Sequence, residues 1–132
     1  MSDKIKKAIA HAEEVTASGK RMILNIALNY GGRDEIVRAA RHIAADAANG
    51  DIKISDITEQ SFAQYLDTAN LPEVDLIIRP SGEKRLSNFM LWQAAYAEFW
   101  YSDICWPDFT DADMKQAILD YQNRDRRFGG VK

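Results

Sequence analysis

The sequence predicts an α/β protein with a mostly parallel sheet flanked by helices. Three observations carry this prediction. Helix-like and strand-like segments alternate along the chain, an order typical of parallel sheets covered by helices. The strand-like segments are apolar runs of the kind buried on both faces. Basic and hydroxyl side chains directly follow the run 76–78, where α/β proteins present ligand donors beyond the carboxyl ends of their strands.

The first half of the chain is predicted to hold two helices with a strand between them. A helix is expected over 3–18, because its apolar residues recur at helical spacing between lysines and glutamates. The run 22–29 reads as a mostly buried strand. Asp34 and Glu35 then open a second helix, since carboxylates suit a helix N-terminus, and 49–50 (Asn-Gly) ends it.

The second half is predicted to continue the alternation. Thr58 is expected to cap a short helix, and Thr110 with Asp113 resembles a capping box that opens the last helix. Between these helices the sequence predicts a strand at 74–79, a short apolar helix at 89–97 and a strand at 98–101. The length of 132 residues fits a single domain over 1–132.

Composition excludes several classes of protein. The net charge of −3 argues against general nucleic-acid binding, which shows as a strong basic excess. The single cysteine, Cys105, rules out an internal disulfide and fits a reducing compartment. The sequence shows neither an apolar run of membrane-spanning length nor the apolar core of a signal peptide. A cytoplasmic protein without a nucleic-acid partner is expected.

The loop after the second strand is the best candidate for a binding site. Within nine residues this region holds three basic side chains and one hydroxyl, those of Arg79, Lys84, Arg85 and Ser87. Arginine suits an anionic ligand because its guanidinium pairs bidentately with phosphate oxygens. The alternative for the arginines is a set of surface ion pairs with Glu83 or Asp75. Ser87 has a second interpretation as the cap of the following helix, a role compatible with phosphate binding at that helix terminus.

Three segments resemble the C-terminal part of the cis-prenyltransferases, the undecaprenyl diphosphate synthase family. They are L-N-I-A-L-N-Y-G-G-R at Leu24–Arg33, the long block D-L-I-I-R-P-S-G-E-K-R-L-S-N-F-M-L-W-Q-A-A-Y-A-E at Asp75–Glu98, and W-P-D-F at Trp106–Phe109 with R-R-F-G-G at Arg126–Gly130. The resemblance covers essentially the whole chain, and the second block is far more specific than a lone glycine motif.

The resemblance implies a transferase that condenses isopentenyl diphosphate onto an allylic diphosphate, uses Mg²⁺, is dimeric and has an α/β fold. Arg79, Arg85 and Ser87 would hold the diphosphate of the isopentenyl unit. Glu98 would help to bind Mg²⁺, and Arg127 would reach the diphosphate site of a partner subunit. The implied substrate-binding positions are Gly31, Gly32, Arg79, Glu83, Arg85, Leu86, Ser87 and Arg127.

The pair Gly31-Gly32 would shape the substrate cleft, although a plain turn with positive φ explains it nearly as well. The large aromatic residues are expected in the core or at a dimer interface, not on a substrate wall. They are Trp92, Tyr96, Phe99, Trp100 and Trp106.

One departure from the family limits the functional prediction. The family's N-terminal signature D-G-N-G-R-W-A, whose aspartate holds Mg²⁺ and the allylic diphosphate, does not occur here. The chain is therefore expected to carry the isopentenyl diphosphate-binding half, with no catalytic residue and little activity by itself. Its partner would be a second copy or a complementary N-terminal half, and any membrane contact would come through the lipid product.

Two other functions stay open at this stage. The chain could instead be a non-catalytic assembly subunit of a split or heteromeric prenyltransferase. A generic phosphate-binding α/β module is the third possibility.

Overall fold

The computed structural model describes residues 1–125, which form four α-helices and a two-stranded parallel sheet. The helices are α1 (Asp3–Thr16), α2 (Gly32–Asn49), α3 (Glu59–Ala63) and α4 (Asp111–Gln122). The strands are β1 (Leu76–Arg79) and β2 (Glu98–Tyr101), and short 3₁₀ turns lie at Ile54–Asp56 and Trp106–Asp108. The predicted α/β class with a parallel sheet is confirmed.

Strands β1 and β2 pair in parallel, with Leu76 opposite Glu98 and Arg79 opposite Tyr101. Parallel strands end at the same edge of the sheet, so the chain segments that follow them meet there. Both N–H groups of Ser81 and Gly82 donate to carbonyls of the segment after β2, each at 2.8 Å. This edge of the sheet carries the candidate site.

The strand predicted at 22–29 does not form, and that prediction was wrong. The segment has no β-ladder partner within residues 1–125, and Asn29 at its end has a positive φ of 53°. Its side chains face outward: Met22, Ile23 and Leu24 are 79%, 72% and 75% exposed. The residue types are those of a buried strand, but a strand also requires a neighbouring backbone, which a local sequence pattern does not reveal.

The helix predicted at 89–97 is replaced by consecutive turns. Ser87, Asn88 and Met90 have positive φ angles of 49°, 65° and 49°, which a right-handed helix does not contain. One helical hydrogen bond, from the Ala94 N–H to the Met90 carbonyl at 2.8 Å, follows them. The apolar composition was recognised correctly, but the backbone reverses direction before a helix can start.

The predicted helix ends are confirmed where they depend on local chemistry. Thr58 and Ser61 form a capping box at α3, and Thr110 and Asp113 form another at α4. Gly50 ends α2 in the left-handed conformation, with φ of 83°. Each of these signals involves residues no more than three positions apart, so the sequence alone predicts them.

The buried core of the described residues is small and lies mainly beneath α2. This helix buries Gly32, Glu35, Ala39 and Ile43 at helical spacing. By contrast, α1 buries none of its residues. In the part of the chain that the structure describes, no helix combines the length and the apolar character needed to cross a membrane.

Candidate functional site

A cavity of about 400 Å³ lies at the carboxyl end of β1. Most of its lining is apolar and is formed by Ile77, Ile78, Pro80, Leu86, Phe89, Phe99 and Trp106. The polar residues that line it are Arg79, Ser81 and Arg85. The cavity therefore offers cationic donors and an apolar surface to the same ligand.

Two residues of the basic loop region, Arg79 and Arg85, line this cavity, and Glu83 and Ser87 contact them. The Arg79 guanidinium donates to Glu83 Oε2 at 2.7 Å, and it lies 3.4 Å from Ser87 Oγ. Arg85 forms an ion pair with the other carboxylate oxygen of Glu83. One carboxylate thus occupies two guanidinium groups, in the way that a bound anion would.

The electrostatics of this cluster keep Glu83 ionised. The hydrogen bond from Arg79 lowers the pKa of the Glu83 carboxyl, and the charge of Arg85 adds to the shift. Two roles for Glu83 were open from the sequence, an ion pair with the arginines or a contact with the substrate. In the structure it bridges both arginines, so an entering phosphate group would compete with it for the same N–H donors.

Backbone amides of the turn after β1 are not free to bind an anion. The N–H groups of Ser81 and Gly82 already donate to the Ile104 and Ser102 carbonyls. These two amides are therefore not available to an anion, and Arg79 and Arg85 are the cationic residues that line the cavity. A cradle of backbone amides, as in glycine-rich phosphate loops, is not what this turn provides.

The helix-capping interpretation of Ser87 was wrong, because the turns that follow it do not form a helix. Its φ of 49° places it in the left-handed region, with the hydroxyl facing Arg79. The backbone is strained at this position, and strain of this kind persists only where surrounding contacts hold it.

The positive-φ explanation of Gly31-Gly32 was also wrong. Gly31 is extended, with φ of −155°, and Gly32 is the first residue of α2. A Cβ at Gly31 would lie 2.8 Å from the Asn88 side-chain nitrogen, and one at Gly32 would lie 3.0 Å from the Leu91 backbone nitrogen. The pair is needed for close approach to the segment after Ser87. Its proposed effect on a substrate cleft would act through that segment.

The structure does not bring Glu98 to the arginine cluster. Glu98 begins β2 opposite Leu76, so it lies three residues, or about 10 Å, along the strand direction from the level of Arg79. Its carboxylate accepts from Arg124 at 2.6 Å. Within residues 1–125, no group of three or more His, Cys, Asp or Glu side chains is placed to hold a metal ion. Arg127 lies outside the described residues.

Two aromatic residues belong to the cavity wall. Phe99 and Trp106, which were expected from the sequence in the core or at an interface, both line the cavity, and Trp106 is 60% exposed. The alternation of β2 was the available signal. Phe99 faces the cavity, whereas the next residue, Trp100, turns to the other side and donates to Asp120 of α4 at 2.8 Å.

Glu35 is a second residue whose importance the sequence did not show. It is only 1% exposed, and its Oε2 accepts from the Tyr30 hydroxyl at 2.5 Å. Its Oε1 accepts from the Asp67 N–H at 2.9 Å and from Gln93 Nε2 at 3.0 Å. Burial and this contact with Glu35 raise the pKa of Tyr30, so the phenol stays protonated. The carboxylate connects three separate parts of the chain.

The described residues form an α/β fold with a cavity that is lined by both cationic and apolar side chains. The family model described as "Putative undecaprenyl diphosphate synthase" matches residues 1–129. The chain belongs to this family, the cis-prenyltransferases.

Curated relatives agree with this assignment. An isoprenyl transferase of Clostridium perfringens is 59% identical over 127 residues, which are 96% of this chain and 50% of the relative. An isoprenyl transferase of Heliobacterium mobile is 57% identical over 128 residues, which are 97% of this chain and 48% of the relative. The chain thus spans about half the length of the curated relatives it matches.

Solved structures show the same fold. Lavandulyl diphosphate synthase from Lavandula x intermedia, in complex with dimethylallyl diphosphate, has a TM-score of 0.92 and 41% identity; the match covers 98% of this chain and 56% of that one. "A probable undecaprenyl diphosphate synthase" from Campylobacter jejuni has a TM-score of 0.81 and 36% identity, covering 98% and 58%. The described residues form part of the cis-prenyltransferase fold.

Proposed function

We propose that this chain provides the isopentenyl diphosphate-binding part of a cis-prenyltransferase, which condenses isopentenyl diphosphate with an allylic diphosphate. One observation carries the proposal: two arginines and an aromatic wall meet in one cavity. The curated proteins that are similar to this chain are named isoprenyl transferases, and one similar structure was solved with dimethylallyl diphosphate. A prenyl diphosphate has both of the surfaces that this cavity complements.

In the proposed complex, Arg79 and Arg85 exchange the Glu83 carboxylate for diphosphate oxygens, and the Ser87 hydroxyl donates to the same group. The isopentenyl tail lies against Phe99 and Trp106, away from water. In the reaction, the allylic C–O bond breaks, a new C–C bond forms and the isopentenyl unit loses a proton. The described residues contribute by positioning one substrate, which is a large part of the rate gain in a two-substrate reaction.

Mg²⁺ is the cofactor that the family implies, and it prefers carboxylate and phosphate oxygens. The described residues do not fit the ion by themselves, because Glu98 is ion-paired with Arg124 and stands apart from the arginine cluster. We keep Glu98 as a proposed ligand that would have to exchange Arg124 for the metal. A substrate phosphate and a second carboxylate would complete such a site.

The proposal is tested by calorimetry with isopentenyl diphosphate and methyl diphosphate, which carry the same charge. Isopentenyl diphosphate should bind roughly 10-fold or more tightly, since each buried methylene contributes about 0.8 kcal/mol. Phe99→Ala should remove most of this preference and leave the affinity for methyl diphosphate nearly unchanged. That unchanged affinity also shows that the variant is folded. Equal affinities of the unsubstituted chain for both ligands would favour the generic phosphate-binding module instead.

The assembly-subunit function is supported by a different observation, the exposed apolar segment 22–28. Leu24, Ile26 and Leu28 are 75%, 67% and 50% exposed. Exposed apolar side chains close to one another in sequence promote association, as does a backbone that has no sheet partner among the described residues.

We therefore expect dimers or larger species of the isolated chain by light scattering at micromolar concentration. A double substitution, Leu24→Ser with Ile26→Ser, should shift the population toward monomer. A monomeric unsubstituted chain would contradict this expectation.

A further inference from the structure

Asn88 supplies the two acceptors that the N-terminus of α2 lacks. The first N–H groups of a helix have no partner within it, and the N-cap residue Gly31 has no side chain to offer. The Gly32 N–H donates to the Asn88 carbonyl at 2.7 Å, and the Arg33 N–H donates to Asn88 Oδ1 at 2.9 Å. A residue more than fifty positions away in sequence thus caps α2.

The sequence around Asn88 is built for this contact. Asparagine tolerates the left-handed backbone better than most residues, and Asn88 has φ of 65°. The side chain fits only because Gly31 has no Cβ, which would lie 2.8 Å from Asn88 Nδ2. The glycine pair and Asn88 therefore form one tie between the start of α2 and the loop after Arg85.

Both chain neighbours of Asn88 belong to the candidate site. Ser87 presents its hydroxyl to Arg79 at 3.4 Å, and Phe89 lines the apolar side of the cavity. Phe89 also packs edge-on against Tyr30, with ring centroids 5.7 Å apart. Without the tie, nothing in the regular secondary structure would fix this strained loop, because neither β1 nor β2 includes it.

We propose that Asn88 is a positioning residue for diphosphate recognition: by capping α2 it holds the Ser87 hydroxyl beside Arg79 and the Phe89 ring in the wall of the cavity. Asn88 itself does not line the cavity and acts through its two neighbours. The inference rests on the proposed function, since it assigns the tie a role in binding the same ligand.

Two substitutions separate the side chain from the backbone. Asn88→Gly keeps the left-handed backbone and the carbonyl bond to Gly32, but it removes Oδ1. Asn88→Asp keeps an acceptor for the Arg33 N–H. We expect Asn88→Gly to bind isopentenyl diphosphate roughly 10-fold more weakly, the effect of losing one hydrogen bond that organises the site. Asn88→Asp should recover the affinity to within about 3-fold of the unsubstituted chain, the remainder reflecting its added charge.

Hydrogen exchange at the Arg33 amide, followed by NMR, reports the tie independently of any ligand. Exchange should be faster in Asn88→Gly and return toward the unsubstituted value in Asn88→Asp. The inference is overturned if Asn88→Gly speeds this exchange but binds as tightly as the unsubstituted chain, or if Asn88→Asp restores protection without affinity. If the unsubstituted chain binds neither isopentenyl nor methyl diphosphate, the proposed function itself fails and takes this inference with it.

Discussion

Replacing Glu35 with alanine should lower the free energy of unfolding by roughly 3–5 kcal/mol, because each buried donor that loses its acceptor costs about 1–3 kcal/mol. The substitution would leave the Tyr30 hydroxyl and the Asp67 N–H without their acceptor, whereas Gln93 Nε2 would keep its bond to Thr68 Oγ1. Small domains are stable by about 5–15 kcal/mol in total, so this variant should be close to unfolding at room temperature. Urea titration followed by circular dichroism measures the loss.

Two controls identify the cause. Glu35→Gln keeps the shape of the side chain and one acceptor oxygen. Its free energy of unfolding should therefore lie between those of the alanine variant and the unsubstituted chain. Asp34→Ala removes an exposed neighbouring carboxylate that pairs with Arg38, and exposed pairs contribute about 0–1 kcal/mol. Similar unfolding midpoints for Glu35→Ala and Asp34→Ala would show that the buried network contributes little.

The Glu35 network also connects stability to the candidate site. Tyr30 donates to Glu35 and packs on Phe89, which lines the cavity. Glu35 lies on α2, whose first amides are capped by Asn88. The first turn of α2 therefore holds the buried Glu35 carboxylate, and its N-terminus contacts Asn88, which lies between Ser87 and Phe89.

Local signals in the sequence predicted the parts of the fold that depend on near neighbours. The capping boxes at Thr58 and Thr110 and the left-handed Gly50 were all readable, because each is a contact over a few residues. The grouping of Arg79 with Arg85 was readable for the same reason. Arg79 ends β1 and Arg85 lies six positions further on, in the loop that follows, so a compact arrangement of that loop brings them together.

The features that the sequence did not reveal depend on distant parts of the chain. The run 22–29 has strand composition, but pairing needs a neighbouring strand. The position of Glu98 depends on the register of β2 against β1, and the role of Gly31 depends on Asn88. Each would require knowing a contact across more than twenty residues, which a motif does not contain.

Arg79→Ala should weaken the binding of isopentenyl diphosphate by roughly 100-fold, because charge-assisted hydrogen bonds contribute about 1.5–3 kcal/mol each. Arg79 leaves the end of a strand, and its side chain is 28% exposed against 63% for Arg85, so its guanidinium is held more firmly. Its loss also has an indirect effect. Glu83 would keep its pairing with Arg85 and so neutralise the remaining guanidinium.

Calorimetry measures the affinity of Arg79→Ala for isopentenyl diphosphate. The ionic strength must be kept fixed, because salt screens exposed charges. Arg85→Ala should lower the affinity for isopentenyl diphosphate less than Arg79→Ala does, because Arg79 would still pair with Glu83 and lie beside Ser87. Arg79→Lys should recover only part of the affinity, because an ammonium does not form the paired bonds of the guanidinium fork.

Arg41→Ala removes the same charge from an exposed position on α2 and should bind isopentenyl diphosphate with the affinity of the unsubstituted chain. If Arg41→Ala and Arg79→Ala weaken binding equally, net charge and not the cavity would attract the anion, and the assignment of the site to this sheet edge would be wrong.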